Sequence, residues 1–508
     1  MSRIRTIAHI TLRSTSGTVD ILRLTEEGSG SWETLPTDTA PKAWYRPHAA
    51  RLGNYAASLF SGGRVSGSSS SGRAELLLNN GDGWLDGYED WTWQRVTILQ
   101  GPLARFASLN QFAPTYAGQI ESVSYDGREV AVRLREGQAA WEAEVPRRLY
   151  RGDNVGPVGL EGGPELADTP APLLLGRVFN AGLVWVNKAL LIAQAHDGAV
   201  TELLPRERGQ LVPVAADVGA AIGQQGLSIP AGQAVTDRAR GLVRFGFSPQ
   251  EPVTADVTVA GGATAADLLT RVAGWLGLSA TLDTASMGAL RDAAPAPLGM
   301  VVDAQATGLS LADAAMASAG GWWLVGPDEK VRAGLLLPPQ GLPGPLMTVT
   351  AADRDVSVDR VPSSDSWGDG PVWRVEVRYG RNPTRLSEGQ IFGAVSGAIR
   401  DRLMREWPDT ATAEDLAVKA AWPEAGVLSV QTQLAEVADA QALADRLLAL
   451  HGTWRRRLSI TLPQRLYLTT ASLGGRVDVV RPDRGAGGPM VVTALTREPG
   501  RQLLRVWG

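Results

Sequence analysis

The sequence predicts a β-rich, multidomain α+β protein with a small α/β module inserted between β segments. The chain has 508 residues, enough for about three or four domains. Its 58 glycines and 31 prolines exceed average usage, which indicates many turns. Alternating apolar residues, typical of strands, recur along most of the chain, whereas helical spacing is concentrated in residues 261–345.

Residues 1–150 form the predicted N-terminal β domain. Thr6–Arg13 and Thr18–Leu24 are predicted strands joined by a tight turn. Glu129–Arg135 alternates apolar and charged residues, which is typical of a half-buried strand. Residues 151–172 are rich in Gly, Pro and Asp and are predicted to be a linker.

Residues 173–260 form a second predicted β segment. Short apolar runs flank Asn187–Lys188, and another pair flanks Asp197–Gly198. Both patterns predict hairpins. A further strand is predicted over Val253–Val259.

Residues 261–345 are predicted to be the inserted α/β module. Thr264 is a good N-cap because an acid follows three residues later, and a second helix is predicted to start at Ser310. A strand is predicted between them, over Leu278–Leu282. Because these segments carry their own caps, we expect the module to bury a core of its own around Leu269.

Residues 346–508 are predicted to be a C-terminal β domain with two helices. Val372–Tyr379 alternates cleanly and predicts a strand. The helices are expected at about Ala413–Ala421 and Ala440–His451, the second ending at a glycine. The chain closes with a predicted meander of strands.

Composition excludes several classes of chemistry. The chain has no cysteine, which excludes disulfides, thiol nucleophiles and cysteine-based zinc sites. Its four histidines are scattered without an HExxH motif, and no G-x-S-x-G motif occurs. The formal net charge of −4 argues against an open nucleic-acid-binding surface. The start has no secretory signal, and no apolar run is long enough to span a membrane. We therefore predict no catalytic residue, no cofactor, no metal and no membrane contact.

The turn NNGDGWLDGYED contains four acidic residues, Asp82, Asp86, Glu89 and Asp90. Clustered carboxylates are what Ca²⁺ prefers, but Trp84 interrupts the alternate spacing of a calcium loop. The pattern favours a structural turn and leaves a cation site open as the alternative.

Tryptophan is abundant, with 16 residues. Trp84, Trp91 and Trp93 cluster beside the acidic turn and are our candidate protein–protein contacts, since tryptophan is enriched in interface cores. The alternative is ordinary packing within the domain. Trp322 and Trp323 are adjacent, so on a strand one of them must leave the core of its own module.

Several strings resemble one protein family, in the same order along the chain. AELLLNNGDGWLDGYEDWTWQRVTILQGP resembles the N-terminal region of tail hub or baseplate proteins of long, non-contractile-tailed bacteriophages. Further similar strings cover most of the chain: GRVFNAGLVWVNKALLIAQAHDGAV, VTADVTVAGGATAADLLTRVAG, RVEVRYGRNPTRLSEGQIFGAVS, DAQALADRLLALHG and LGGRVDVVRP. Trp84 departs from the pattern, where a polar or small residue is expected.

This resemblance implies two β-barrel-like hub domains with an α/β insertion. It also implies that three copies form a pseudo-sixfold ring at the virion tail tip, made in the host cytoplasm. The implied partners are other copies of the chain, the distal tail protein, the tape-measure protein, and other baseplate and fibre proteins, with genome DNA only as passing cargo.

The expected function is therefore that of a structural virion protein, a tail-tip baseplate hub without an enzymatic step. Two alternatives remain open. One is a tail-associated cell-wall hydrolase, for which carboxylates such as Glu142 and Glu144 are available. The other is a carbohydrate-binding tip protein that stacks sugars on exposed tryptophans.

Overall fold

The computed structural model describes residues 4–67, 70–154, 159–303, 305–463, 468–498 and 501–508. The fold is β-rich, as predicted, and its N-terminal part is a closed barrel. The strands of this part are β1 (Ile4–Arg13), β2 (Val19–Glu26), β3 (Trp32–Glu33), β4 (Trp44–Ser58), β5 (Ser70–Asn79), β6 (Thr92–Pro102), β7 (Ala113–Tyr125) and β8 (Glu129–Glu136). Seven of them follow the order β2-β1-β6-β7-β8-β5-β4, and β2 also pairs with β4, which closes the barrel.

Alternation along the strands fills the barrel. In β8, Val130, Val132 and Leu134 are buried, and Arg133 between them is exposed. The predicted first hairpin is confirmed, with β1 and β2 joined by a turn in which Ser14 N–H donates to the Thr18 carbonyl at 2.8 Å.

The second segment contributes nine strands to two five-stranded sheets, and the tenth strand, Gly299–Val302, comes from the module that follows. Its strands are β9 (Leu173–Gly182), β10 (Val184–Asn187), β11 (Ile192–Gln194), β12 (Val200–Glu207), β13 (Gln210–Leu211), β14 (Val214–Asp217), β15 (Ala234–Asp237), β16 (Leu242–Phe245) and β17 (Val253–Val259). The strand over Val253–Val259 and the hairpin at Asn187–Lys188 are confirmed. The hairpin at Asp197–Gly198 is wrong, because β11 and β12 lie in different sheets. Asp197 N–H donates instead to the Pro172 carbonyl at 2.7 Å, and the chain crosses between the sheets there.

The segment predicted to be a linker packs against the second segment. Tyr150 and Ala171, at its two ends, share one small core. Within it, Gly162 N–H donates to the Val186 carbonyl at 3.0 Å, and the Asn154 amide donates to the same oxygen. Residues 155–158 of the predicted linker lie outside the described residues.

The module is richer in helix than predicted. Its elements are α1 (Ala265–Trp275), α2 (Thr284–Ala293), β18 (Gly299–Val302), α3 (Gly308–Ala319), β19 (Gly321–Val325) and β20 (Val331–Leu335). The capping box at Thr264 is confirmed. The second predicted helix is α3, but it is capped by Thr307, which accepts from Ser310 N–H, so it begins before Ser310. The strand over Leu278–Leu282 is wrong. A 3₁₀ turn occupies Ser279–Thr281, in which the Thr281 hydroxyl donates to the Leu278 carbonyl.

The C-terminal part contributes two groups of strands. Its elements are β21 (Met347–Thr350), β22 (Ser357–Arg360), β23 (Val372–Tyr379), α4 (Gly397–Met404), β24 (Asp409–Glu414), α5 (Leu416–Ala421), β25 (Gly426–Gln431), α6 (Val437–His451), β26 (Arg457–Pro463), β27 (Arg476–Arg481), β28 (Ala486–Glu498) and β29 (Arg501–Trp507). The strand over Val372–Tyr379 is confirmed as β23, and α6 begins at Val437, slightly earlier than predicted. The helix at Ala413–Ala421 is partly wrong. β24 runs to Glu414, and the Asp415 carboxylate then caps α5 by accepting from Ala417 N–H and Val418 N–H.

The last strands extend the barrel sheet. β28 pairs with β4 of the barrel, and the order continues through β29 and β26 to β22 at the outer edge. The barrel and these strands share one hydrophobic core. β24, β23 and β25 form a separate three-stranded sheet, against which α6 packs.

The inserted module has no core of its own, contrary to our expectation. Leu269 of α1 belongs to one continuous buried cluster with Val375 and Val377 of β23. The physical reason is that the module's short sheet cannot cover its helices. The inward face of β23 and the apolar face of α6 complete their burial.

We predict that Leu269→Ala destabilises the chain by about 2–5 kcal/mol, because the side chain is fully buried and its removal leaves a cavity. Denaturant unfolding followed by tryptophan fluorescence should show the module and the β23 sheet shifting together. Leu416→Ala is the control, since Leu416 is 69% exposed. A shift confined to the module would contradict the shared core.

Because the His196 imidazole is buried, we predict that the free energy of unfolding of the chain depends on pH. Its Nδ1 accepts from Leu174 N–H at 3.0 Å, and burial lowers the pKa of the imidazole to about 4. Between about pH 6.5 and 4 the unfolded chain binds a proton that the folded chain excludes, so the free energy of unfolding falls as pH falls through this window. The loss reaches roughly 3 kcal/mol.

His196→Asn keeps an acceptor but cannot titrate. We expect it to reduce, but not abolish, the pH dependence of the urea midpoint between pH 6.5 and 4, because burial also lowers the pKa of His9 to about 4 and that of His451 to about 3. Equal slopes for wild type and His196→Asn would contradict the account.

Candidate interface on the acidic tryptophan turn

The acidic turn between β5 and β6 is ordered by one buried amide. The Asn80 side chain is 1% exposed, and its Nδ2 donates to Asp86 Oδ1 at 2.7 Å while its Oδ1 accepts from Leu85 N–H at 2.8 Å. Gly83 adopts φ +72°, a conformation that favours glycine, and precedes a 3₁₀ turn over Trp84–Tyr88. The DG pair in the sequence signals this turn.

The three candidate tryptophans separate in the structure. Trp93 is 8% exposed and lies in the barrel core, where its Nε1 donates to the Tyr88 carbonyl at 3.2 Å. It therefore has no surface to offer another chain, and its selection as a contact residue is wrong. Its position on β6 points it inward. Trp84 and Trp91 are half-buried and pack on the outside of the same core.

Neighbouring aromatic and basic side chains hold these two tryptophans in place. The Trp84 ring lies 5.0 Å from the His48 ring, and the Arg46 guanidinium stacks on it at 4.4 Å. Trp91 meets the Tyr88 ring edge to face at 5.3 Å. The Tyr88 hydroxyl donates to Asp20 Oδ2 at 2.9 Å, which ties the turn to β2.

The carboxylates give the turn a negative field. The pKa of Tyr125 is raised to about 12, mainly by burial and also by the nearby charges of Glu89 and Asp86. Burial also raises the pKa of Tyr88, as does its hydrogen bond to Asp20. The surface of the turn therefore combines negative charge with two partly exposed indole rings, which suits a protein contact.

Two of the acidic side chains have structural roles. Asp82 Oδ1 accepts from Trp84 N–H and its carboxylate lies 3.7 Å from His48, while Asp86 accepts from Asn80. Within the described ranges, no three His, Asp or Glu side chains lie close enough to hold a metal ion. The turn thus has the geometry of a structural motif.

The carboxylates considered for hydrolysis do not form a paired site. Glu142 accepts from Arg135 Nη2 through both oxygens, at 2.6 and 2.7 Å, while Glu144 is exposed on the strand-like bridge to Thr307. A charged cleft along β9, β12 and β17 holds Asp256 in a two-bond contact with Arg206. Among the described residues, no helix is long and apolar enough to cross a membrane.

A second aromatic surface, formed by Trp422 and Trp454, was not predicted from the sequence. The two residues are far apart along the chain, so no local pattern signals their approach. Their rings are parallel, with centroids 6.4 Å apart. Only the folding of α5 against the segment after α6 brings them together.

Comparison with known proteins gives similarities of fold only. No family model matches the chain, and no curated protein matches it. Among solved structures, a tail protein from Neisseria meningitidis aligns over 98% of this chain and 96% of its own, at 10% identity and TM-score 0.41. The 43 kDa tail protein of prophage MuSo2 from Shewanella oneidensis aligns over 98% of both chains, at 9% identity and TM-score 0.41. A prophage tail protein from Listeria monocytogenes aligns over 98% and 94%, at 8% identity and TM-score 0.38. Similarity at this level assigns no activity or partner.

The role of the Asn80 amide in ordering the turn can be tested by substitution. We predict that Asn80→Ala costs about 1–3 kcal/mol of stability, because the buried Leu85 N–H loses its acceptor. Thermal unfolding measures the cost, and Asn110→Ala at an exposed position should change it little. If both variants unfold like wild type, the amide does not order the turn.

Proposed function

We propose that this chain is a structural protein of a bacteriophage tail, a baseplate hub at the tail tip that joins the tail tube to tip proteins and fibres. The proposal contains no enzymatic step. One observation supports it most. The resemblance of colinear sequence strings implies two barrel-like domains with an α/β insertion, and the observed fold has a closed barrel, a two-sheet unit and an α/β layer in that order.

The architecture suits a part that transmits load. The barrel and the C-terminal strands share one sheet of 14 strands, so force applied at one end passes through backbone hydrogen bonds to the other. The α/β layer shares its core with β23, so the layer and the β23 sheet move together. The near-neutral charge would not trap DNA passing through a central channel.

We further propose that three copies close into a ring and that the ring contacts the distal tail protein, the tape-measure protein and fibre proteins. A closed cyclic ring repeats one contact between two different patches of each chain. The turn carrying Trp84 and Trp91 is one proposed patch, because it exposes aromatic and acidic groups together.

Trp91→Ala tests this contact. We expect it to weaken assembly by about 2 kcal/mol, as removal of an interface tryptophan typically does, and to affect folding less. Light scattering and ultracentrifugation, on the chain alone and with its tail neighbours, give the mass against concentration. Phe106→Ala is the control, since Phe106 is 75% exposed and lies in the loop that follows β6, whereas the turn precedes β6.

A wild-type mass of one or six copies would overturn the threefold ring. Clearing of peptidoglycan by the pure chain, abolished by one Asp or Glu substitution, would overturn the non-enzymatic proposal. An equal effect of Phe106→Ala and Trp91→Ala would remove the turn from the interface.

A further inference from the structure

The surface around Trp422 and Trp454, here called the platform, carries two arginine side chains that have no ionic partner among the described residues. Trp422 is 48% exposed and Trp454 is partly exposed, with their rings 5° from parallel. Arg360 and Arg456 both stack on Trp454, with guanidinium carbons 5.6 and 5.4 Å from the ring centre. Within the described part of the chain, neither guanidinium has an ion pair or a side-chain hydrogen bond.

The platform is held rigidly by backbone bonds. Arg456 exchanges both backbone hydrogen bonds with Gly508, at 2.8 and 3.0 Å. Trp422 closes α5 through its N–H to the Val418 carbonyl at 2.8 Å. A rigid aromatic surface loses little conformational entropy on binding, which favours its use as a contact.

The chemistry of the platform selects an acidic partner. A guanidinium that stacks through its face still presents its in-plane N–H groups, and these match a carboxylate in a two-bond contact. Indole rings add apolar contact area beside the charge. The complementary surface must therefore carry carboxylates next to an aromatic side chain.

The acidic turn on the barrel of the same chain provides such a complementary surface. Glu89 and Asp90 are exposed, have no ion pair among the described residues, and immediately precede Trp91. The acidic turn lies on the barrel, whereas Arg360 lies on β22, the outermost strand of the C-terminal extension of the same sheet. The two patches are thus distinct surfaces of one chain, as a head-to-tail ring requires.

We infer that the Trp422–Trp454 platform binds the acidic tryptophan turn of a second copy of this chain, with Arg360 and Arg456 paired to Glu89 and Asp90. This inference rests on the proposed ring and names its contact. It predicts strong salt dependence of assembly, because the contact joins opposite charges.

The first test is charge reversal. Arg360→Glu with Arg456→Glu should raise the concentration for half-assembly at least about tenfold, and Glu89→Arg with Asp90→Arg should do the same. The four substitutions together should restore assembly toward wild type. Arg385→Glu is the matched control at an exposed arginine elsewhere on the surface, and it should leave assembly unchanged. Circular dichroism establishes that each variant is folded.

The second test uses the absence of cysteine. Glu89→Cys with Arg360→Cys gives the chain its only two thiols. A short bis-maleimide should link these thiols between copies, and a denaturing gel should then show a ladder of cross-linked oligomers whose largest member has the mass of the ring. Glu89→Cys with Arg385→Cys should give no such ladder. This assay detects the contact even where assembly is weak.

The two assays separate the contact from the ring. A threefold mass with unaltered assembly in both charge-reversed variants, and no ladder, overturns the contact while the ring stands. A single-copy mass with no ladder overturns both. Binding of the platform to a different acidic tail protein, with no ladder between copies, also overturns the pairing of copies.

Discussion

The architecture depends on two adjacent tryptophans of β19 that enter two different cores. Trp323 is buried against Trp141, with ring centres 5.0 Å apart, and its Nε1 donates to Asp313 Oδ1 at 2.8 Å. Trp322 points the other way, packs on the barrel and C-terminal core, and donates to the Leu335 carbonyl at 3.2 Å. Because neighbouring strand residues face opposite sides, one short strand fastens the α/β layer to the large sheet.

The surroundings of Trp322 show how tight this junction is. Gly474 has φ +80°, and a Cβ there would lie 2.6 Å from the Trp322 ring. Only glycine fits that conformation and that space. The junction explains why the inserted module is not separable. As predicted, the two tryptophans enter different cores: Trp323 stays in the cluster that buries the module's helices, and Trp322 packs the module against its neighbour.

The large sheet places the two proposed contact surfaces at separate positions. β4 has 15 residues and pairs with β2, β3, β5 and β28, so it both closes the barrel and carries the C-terminal strands. The acidic turn projects from the barrel, and the tryptophan platform begins at the outermost strand. In the proposed ring, the sheet between the two patches would fix the angle between successive copies.

The sequence by itself determined the local elements whose period or cap is strong. β8, β17 and β23 follow from the alternation of apolar residues, and the start of α1 follows from the Thr264 cap, since these signals involve neighbours only. Tertiary structure decided the rest, because it depends on partners distant along the chain. The sheet crossing at Asp197, the burial of Trp93, the sharing of one core by Leu269 and Val375, and the meeting of Trp422 with Trp454 all require strands or helices that no local pattern brings together. A short module has too few elements to bury its own apolar side chains. These side chains are therefore buried against neighbouring parts of the fold.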